Sequence, residues 1–354
     1  RRLMISTDGV IFYLEKPKIG RVSISSQGGG VGTRPCRGAP VARMTDKRVL
    51  AVGDVNVDII FTGLPEIPRA EQEVLAEGLE TVVGGQTSTI ARALASLGVQ
   101  VTFVGRLGDD AYGRQALDQL RADGVDVSGI VVDPASRTGA SVALSTGAER
   151  AFVTYLGSIS QVRREDVKRA FLERVDHVHV GSFYLQQNLR PDLAGLFREI
   201  GEMGITTSMD PGWDPLNEWR DDIFDVLQSV TIFLPNAIEA MTITGADAPE
   251  KAAEALSEYA QIVLVKMGSQ GCLAKSRGET EYCPAFEVEV VDVTSAGDIC
   301  NAGFLYAFLH GRGLRAAARF ANACGAIAVT RVGSAGIISG PEEVEKFLAS
   351  RASQ

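Results

Sequence analysis

Residues 291–305, VDVTSAGDICNAGFL, hold the densest run of chemistry in the chain. The pattern predicts a strand ending at Asp292, a loop of small residues, and a helix opening near Asp298. Ser295, Ala296 and Gly297 carry little side chain, so their amides can crowd around an anion. They sit at a helix N-terminus, where the dipole also favours negative charge. Such a loop suits a γ-phosphoryl group in transfer. Asp298 beside it suits the proton of an attacking hydroxyl. The same residues also read as an aspartate N-cap after a tight turn.

The elements around this segment set its context. Residues 49–53 form a short apolar run ending in glycine, the pattern of a buried strand. A helix over 88–97 follows Gly84-Gly85 and closes at Gly98, then a strand over 101–105 and a helix over 112–122. The alternation continues with strands at 177–181, 205–209, 230–234 and 262–266. Helices fall at 192–203, 218–227, 250–260, 298–310 and 314–329. Strand and helix in alternation predict an α/β fold with a mostly parallel sheet covered on both faces. In such sheets ligands bind beyond the carboxyl ends of the strands. Residues 59–82 and 137–157 instead alternate with period two and no helix, which predicts a small separate sheet, placed as a lid over a cleft.

The chain has 354 residues, 45% of them hydrophobic, and a formal net charge of −9. That balance argues against a general binder of nucleic acid or anionic membrane, which needs a basic face. No apolar run reaches membrane-spanning length. Five scattered cysteines without CxxC spacing argue against a disulfide framework or zinc site, so the expected location is the reducing cytoplasm. His177 and His179 alternate with valines on one strand face and read as structural histidines. Residues 1–45 are glycine-rich in part and without period, which predicts a disordered extension; a targeting peptide and sequence upstream of a start at Met44 are the alternatives. The folded domain is expected over 46–350.

The stretch from Asp292 to Asp298, followed by Asn301-Ala302-Gly303-Phe304, resembles the C-terminal signature of the ribokinase-like (PfkB) kinases. Four further matches occur in order. Asn56-Val57-Asp58 resembles the family's substrate-contacting Asn-x-Asp, where a carboxylate can accept from adjacent sugar hydroxyls. Gly84-Gly85, with Gln86 as an added donor, resembles the N-terminal signature. There Thr89 replaces the usual asparagine and Thr87 a smaller residue. Asn236-Ala237-Ile238-Glu239 resembles the Asn-x-x-Glu motif, the glutamate acting on Mg²⁺ through water. Lys266, Gly268, Ser269 and Gly271 match the nucleotide-binding turn, and Asn322 falls where the family lines the adenine pocket.

The resemblance covers residues 48–346. It implies the three-layer ribokinase-like fold with a β lid, ATP and Mg²⁺, and Asp298 as base beside an anion hole at 295–297. It implies a K⁺ site from Asp292 with Thr294, Ala328, Arg331 and Gly333. The expected acceptor is a hydroxyl, primary by preference, of a sugar or sugar acid. A nucleoside kinase of the same family and a non-catalytic sensor are the alternatives. Trp213 and Tyr184 read either as sugar-ring platforms or as plain packing. Exposed lid edges predict a homodimer through the lid. There is no Walker A and no GxGxxG after the first strand, which disfavours a dinucleotide dehydrogenase.

Overall fold

The computed structural model describes residues 46–146, 150–219, 222–331 and 338–351. The expectations for 1–45 and for Gly333 lie outside the described residues.

Arg48–Val52 forms β1, and Val49, Leu50, Ala51 and Val52 are all fully buried. A strand covered on both faces has no solvent side, so its apolar residues run on without alternation. β2 (Asn56–Thr62) and β3 (Gly78–Gly84) follow, then α1 (Gln86–Ser96), β4 (Gln100–Gly108), α2 (Ala111–Ala122) and β5 (Asp126–Asp133). Next come β6 (Ala140–Ser145), β7 (Arg150–Tyr155), α3 (Arg169–Leu172), β8 (His177–Val180), α4 (Arg190–Glu202) and β9 (Thr206–Met209). The chain continues through α5 (Asp222–Leu227), β10 (Ile232–Phe233), α6 (Ala237–Thr244), α7 (Pro249–Ser257) and β11 (Ile262–Lys266). It ends with β12 (Cys272–Ser276), β13 (Glu279–Cys283), α8 (Ala296–Leu309), α9 (Leu314–Ala328) and α10 (Pro341–Ser350).

One sheet runs β13-β12-β11-β10-β9-β8-β1-β4-β5. From β11 to β5 every pairing is parallel, and only the β12–β13 edge is antiparallel. One core packs α1, α2, α8, α9 and α10 on one face. The other packs α3 to α7 on the opposite face. This is a three-layer α/β architecture, with the carboxyl ends of the parallel strands sharing one edge.

A second sheet runs β3-β2-β6-β7 and departs from the end of β1 through residues 53–55. It occupies the segments expected to form a small sheet, except that 63–77 contributes no strand.

Several local expectations need correction. The strand expected to end at Asp292 is irregular chain over 284–292. Val288, Val290 and the alternating glutamates mimic a strand, but no neighbour pairs with them, and Val290 and Val291 are exposed. Of the helix expected at 218–227, Asp222–Leu227 is helical and residues 218–219 are not. Before it, Asn217 and Trp219 take left-handed backbone, and the Asp214 carboxylate accepts from the amides of Glu218 and Trp219. The strand at 230–234 is reduced to Ile232–Phe233. β5, the β12–β13 hairpin, α6 and α10 were not anticipated as elements.

Candidate active site

Asp210, just past β9, and Lys266, at the end of β11, reach the first turns of α8 at Asn301 and Gly297. Ser295 caps that helix in left-handed backbone at φ 60°, a conformation that costs a serine on the order of 1 kcal/mol. The amides of residues 296–298 precede the first intrahelical acceptor bond, that of Ile299 to the Ser295 carbonyl. Of these, Ala296 N makes a long 3.4 Å bond to the Val293 carbonyl. Gly297 and Asp298 keep first-turn donors free for a ligand. A side chain at Gly297 would meet only Lys266 Cδ, at 3.9 Å, so the space above that amide is open.

Asp298 opens α8 and shares its surroundings with three other carboxylates and one ammonium. Burial raises its pKa well above the ordinary carboxylate range. Asp210, Asp54 and Glu239 raise it further, against the opposing pull of Lys266. Asp210, at the end of β9, is fully buried. Its Oδ2 accepts from Lys266 Nζ at 2.6 Å and from Asn301 Nδ2 at 2.6 Å, and its Oδ1 from the Gly212 amide at 2.9 Å. Lys266 also donates to the Leu234 carbonyl at 2.7 Å. Burial alone would lower the Lys266 pKa, but Asp210 and Glu239 outweigh it and hold the ammonium charged. The side chain expected to serve the nucleotide turn is thus anchored on Asp210, under Gly297.

Glu239 lies on the first turn of α6. It forms a reciprocal capping box with Asn236, Asn236 N donating to Glu239 Oε2 at 2.8 Å and Glu239 N to Asn236 Oδ1 at 2.9 Å. Burial, then Asp210, push its pKa up to about 7. Glu239 thus caps its own helix through Oε2, while Oε1 has no protein partner among the described residues. That oxygen suits a metal-bound water.

On the other side, Asn56 Nδ2 donates to Asp58 Oδ1 at 2.7 Å. Burial pushes the Asp58 pKa up to about 6, against that hydrogen bond. Gly84 pairs with Asn56 across β2–β3, and a methyl there would come 2.0 Å from Asp58 Oδ2. Gly85, at φ 100°, passes so close to the Asp54 carbonyl that a methyl would stand 2.9 Å from it.

Asp54 was not expected. Its carboxylate accepts from Gln86 N, Thr87 N and Thr87 Oγ1, and so caps α1 and holds the glycine pair against β1. Thr87 fills the space left by Gly53 and Gly181, where an added methyl would stand 2.4 Å from its Oγ1. The larger residue at this position is therefore accommodated. Gln86 is partly committed, its Oε1 accepting from Ser182 N at 2.6 Å. Thr89 is buried on the first turn of α1, its amide bonded to the Gly85 carbonyl.

The turn after β11 carries Gly268 at φ 56° and Gly271 at φ 96°. A methyl at Gly271 would lie 2.0 Å from the Cys283 carbonyl. Asn322 on α9 donates to the Cys283 and Pro284 carbonyls. Gly268, Ser269, Gly271 and Asn322 are thereby brought to one wall, next to α8. Asp292 Oδ1 accepts from Thr294 N and Oγ1, and the amides of Val291 and Asp292 both reach the Val329 carbonyl. Asp292 and Thr294 thus stand beside the turn holding Ala328 and Arg331, where Arg331 N takes the Ala328 carbonyl. Tyr184 is buried edge-on against Trp219 and is packing, whereas Trp213 is 54% exposed.

A three-layer, mostly parallel sheet with a small second sheet is the ribokinase-like fold, shared with a solved putative ribokinase II of E. coli at a TM-score of 0.75. The chain belongs to the PfkB family: the model for "pfkB family carbohydrate kinase" matches residues 46–339. It is similar to the ATP-dependent ribose-1-phosphate kinase of Halopiger xanaduensis, 30% identical over 86% of this chain and 99% of the relative. It is similar also to the ribokinase of Bacillus subtilis, 29% identical over 86% of this chain and 100% of the relative. Among solved structures it resembles an E. coli putative ribokinase II in complex with ATP and Mg²⁺. That likeness has a TM-score of 0.76 at 25% identity and covers 86% of this chain and 99% of the other. The protein is an ATP-dependent carbohydrate kinase. No helix among the described residues is long and apolar enough to cross a membrane.

Proposed function

We propose that the enzyme transfers the γ-phosphoryl group of ATP to a primary hydroxyl of a sugar or sugar acid, with Asp298 as general base. The observation that carries this reading is Asp298 itself. It is a carboxylate of raised proton affinity, set one residue beyond the free amide of Gly297. Asp298 takes the hydroxyl proton as the sugar oxygen bonds to the γ-phosphorus and the bond from that phosphorus to the bridging oxygen of ADP breaks. A base whose proton affinity is raised above that of an ordinary aspartate accepts that proton more readily. The amides of residues 295–297 and the Lys266 ammonium face the charge on the transferred group. Mg²⁺, when bound, neutralises charge between the phosphates, and Glu239 would hold it through water. Asn56 and Asp58 orient the acceptor, with the β2-β3-β6-β7 sheet as a lid excluding water.

Phosphorus NMR of the product identifies the hydroxyl modified. A phosphoryl group on a secondary or anomeric oxygen overturns the primary-hydroxyl reading, and a nucleoside monophosphate overturns the sugar. Gly84→Ala pushes the Asp58 carboxylate aside, so the acceptor KM is expected to rise roughly tenfold to a hundredfold, the worth of a hydrogen bond to a charged group. Steady-state kinetics should show the ATP KM unchanged. An unaltered acceptor KM would remove Asp58 from acceptor binding.

Two finer elements belong to the same reading. K⁺ would be held by Asp292 with carbonyls of Thr294, Ala328 and Arg331; equal turnover with tetramethylammonium in place of K⁺ removes this site. The protein dimerises through the lid. In support, register places Ile59, Phe61, Leu79, Val142, Leu144 and Val153 on the sheet face opposite Asp58, with Leu79 and Val153 more than 60% exposed. A monomeric mass by light scattering removes it.

A further inference from the structure

Near the end of β3, the Val83 carbonyl points where no strand can receive it. Val57 N donates to the Gly139 carbonyl, so the polar backbone of Val57 faces β6. Val83 is the antiparallel partner of Val57, so it stands in a non-hydrogen-bonded pair and turns its carbonyl away from β2. β3 is also the edge of the four-stranded sheet. A buried carbonyl at such an edge needs a donor from outside the sheet.

The helix α1 supplies that donor and a second one. Arg92 Nη1 donates to the Val83 carbonyl at 3.1 Å, and Ser88 Oγ to the Gly84 carbonyl at 2.6 Å. Ser88 and Arg92 are four residues apart, so one face of α1 holds two consecutive peptide groups of the strand. Both residues are more than nine-tenths buried.

A buried guanidinium is costly, and an apolar residue of similar volume often packs as well. Its charge is met by Asp123, the C-cap of α2, whose Oδ2 accepts from Arg92 Nε at 2.5 Å. An ion pair joining α1 to α2 needs only that bond. The guanidinium fork reaches further, with a second nitrogen on the peptide group between Val83 and Gly84. That peptide group borders the acceptor side of the site. Gly84 lies against the Asp58 carboxylate, where an added methyl would stand 2.0 Å from Oδ2. A shift of β3 at this point is therefore passed to Asp58. Arg92 and Ser88 bond to β3, the glycine pair and α2, and not to α8 or the turn after β11.

We propose that Arg92 and Ser88 are positioning residues for the acceptor, fixing the Val83–Gly84–Gly85 backbone and through it the Asp58 carboxylate. The kinetic consequence rests on the reading of Asp58 as an acceptor contact; the hold on β3 does not.

The double variant Arg92→Met/Asp123→Asn removes both charges together, so neither is left buried and unpaired. With the sugar of fastest wild-type turnover, its acceptor KM is expected to rise about tenfold, the size of one buried hydrogen bond. Its kcat and ATP KM should stay unchanged. Ser88→Ala should move the acceptor KM in the same direction. Asp123→Asn alone keeps the Val83 bond and should lower only the melting temperature. Hydrogen exchange over residues 78–85 should quicken in the double variant and in Ser88→Ala, and stay at the wild-type rate in Asp123→Asn. An acceptor KM that simply follows melting temperature across the three variants overturns the positioning role. Wild-type exchange over 78–85 in the double variant overturns the hold on β3. Asp58→Asn separates the two readings: an unchanged acceptor KM there overturns Asp58 as the contact, and exchange alone then decides the hold.

Discussion

Asp298→Asn is expected to lower kcat roughly a thousandfold, within the range that general-base catalysis contributes, while ATP affinity stays within about threefold. The substitution is isosteric and leaves the α8 amides and their dipole in place, so the anion site survives. It also removes one of four carboxylates gathered around a single ammonium. Burial, then Asp210, already oppose the charge on Asp298, so the neutral amide should raise the melting temperature. Lost turnover with raised stability distinguishes a missing base from a damaged fold. Kinetics, calorimetry of ATP binding and thermal melting measure the three quantities. Turnover near wild type removes Asp298 from the chemistry.

Lys266→Met is the second large effect, and it falls on stability. Asp210 is fully buried, and among the described residues its one cationic partner is Lys266 at 2.6 Å. Removing the ammonium leaves the carboxylate with only the Gly212 amide and the Asn301 side chain. Breaking one side of a buried ion pair costs roughly 3–5 kcal/mol. Urea unfolding at neutral pH should show a loss of that order, because the buried Asp210 side chain then lacks its cationic partner. A loss under about 1 kcal/mol would mean that the two amide donors suffice.

The legible parts of the molecule were those with a local signature. β1 announced itself by four consecutive buried apolar residues, and α8 by a small-residue loop ahead of an apolar helix. Paired glycines at 84–85 and the Gly268–Gly271 turn were visible because tight backbone needs them: at Gly271 a methyl would meet a carbonyl. Asp54 and Asp210 carry no such mark. Each is a lone carboxylate at a strand end, and Asp210 gains meaning only when folding brings Lys266, 56 residues away, to within 2.6 Å. The one available signal was position, since both stand just past the carboxyl end of a parallel strand. Residues 284–292 misled in the opposite direction, because alternating valine and glutamate satisfies the strand pattern without supplying a partner. β13 has no sequence signature because a short polar edge strand buries little, and β12 because its buried apolar run is only Cys272-Leu273-Ala274, too short to mark a strand.

ADP formation from Mg-ATP across a panel of sugars, sugar acids and nucleosides, with Asp298→Asn as control, tests the central claim most directly. The account predicts turnover on a sugar or sugar acid in the wild type and near-abolition in the variant. Equal turnover in the two proteins, or turnover confined to nucleosides, would contradict it.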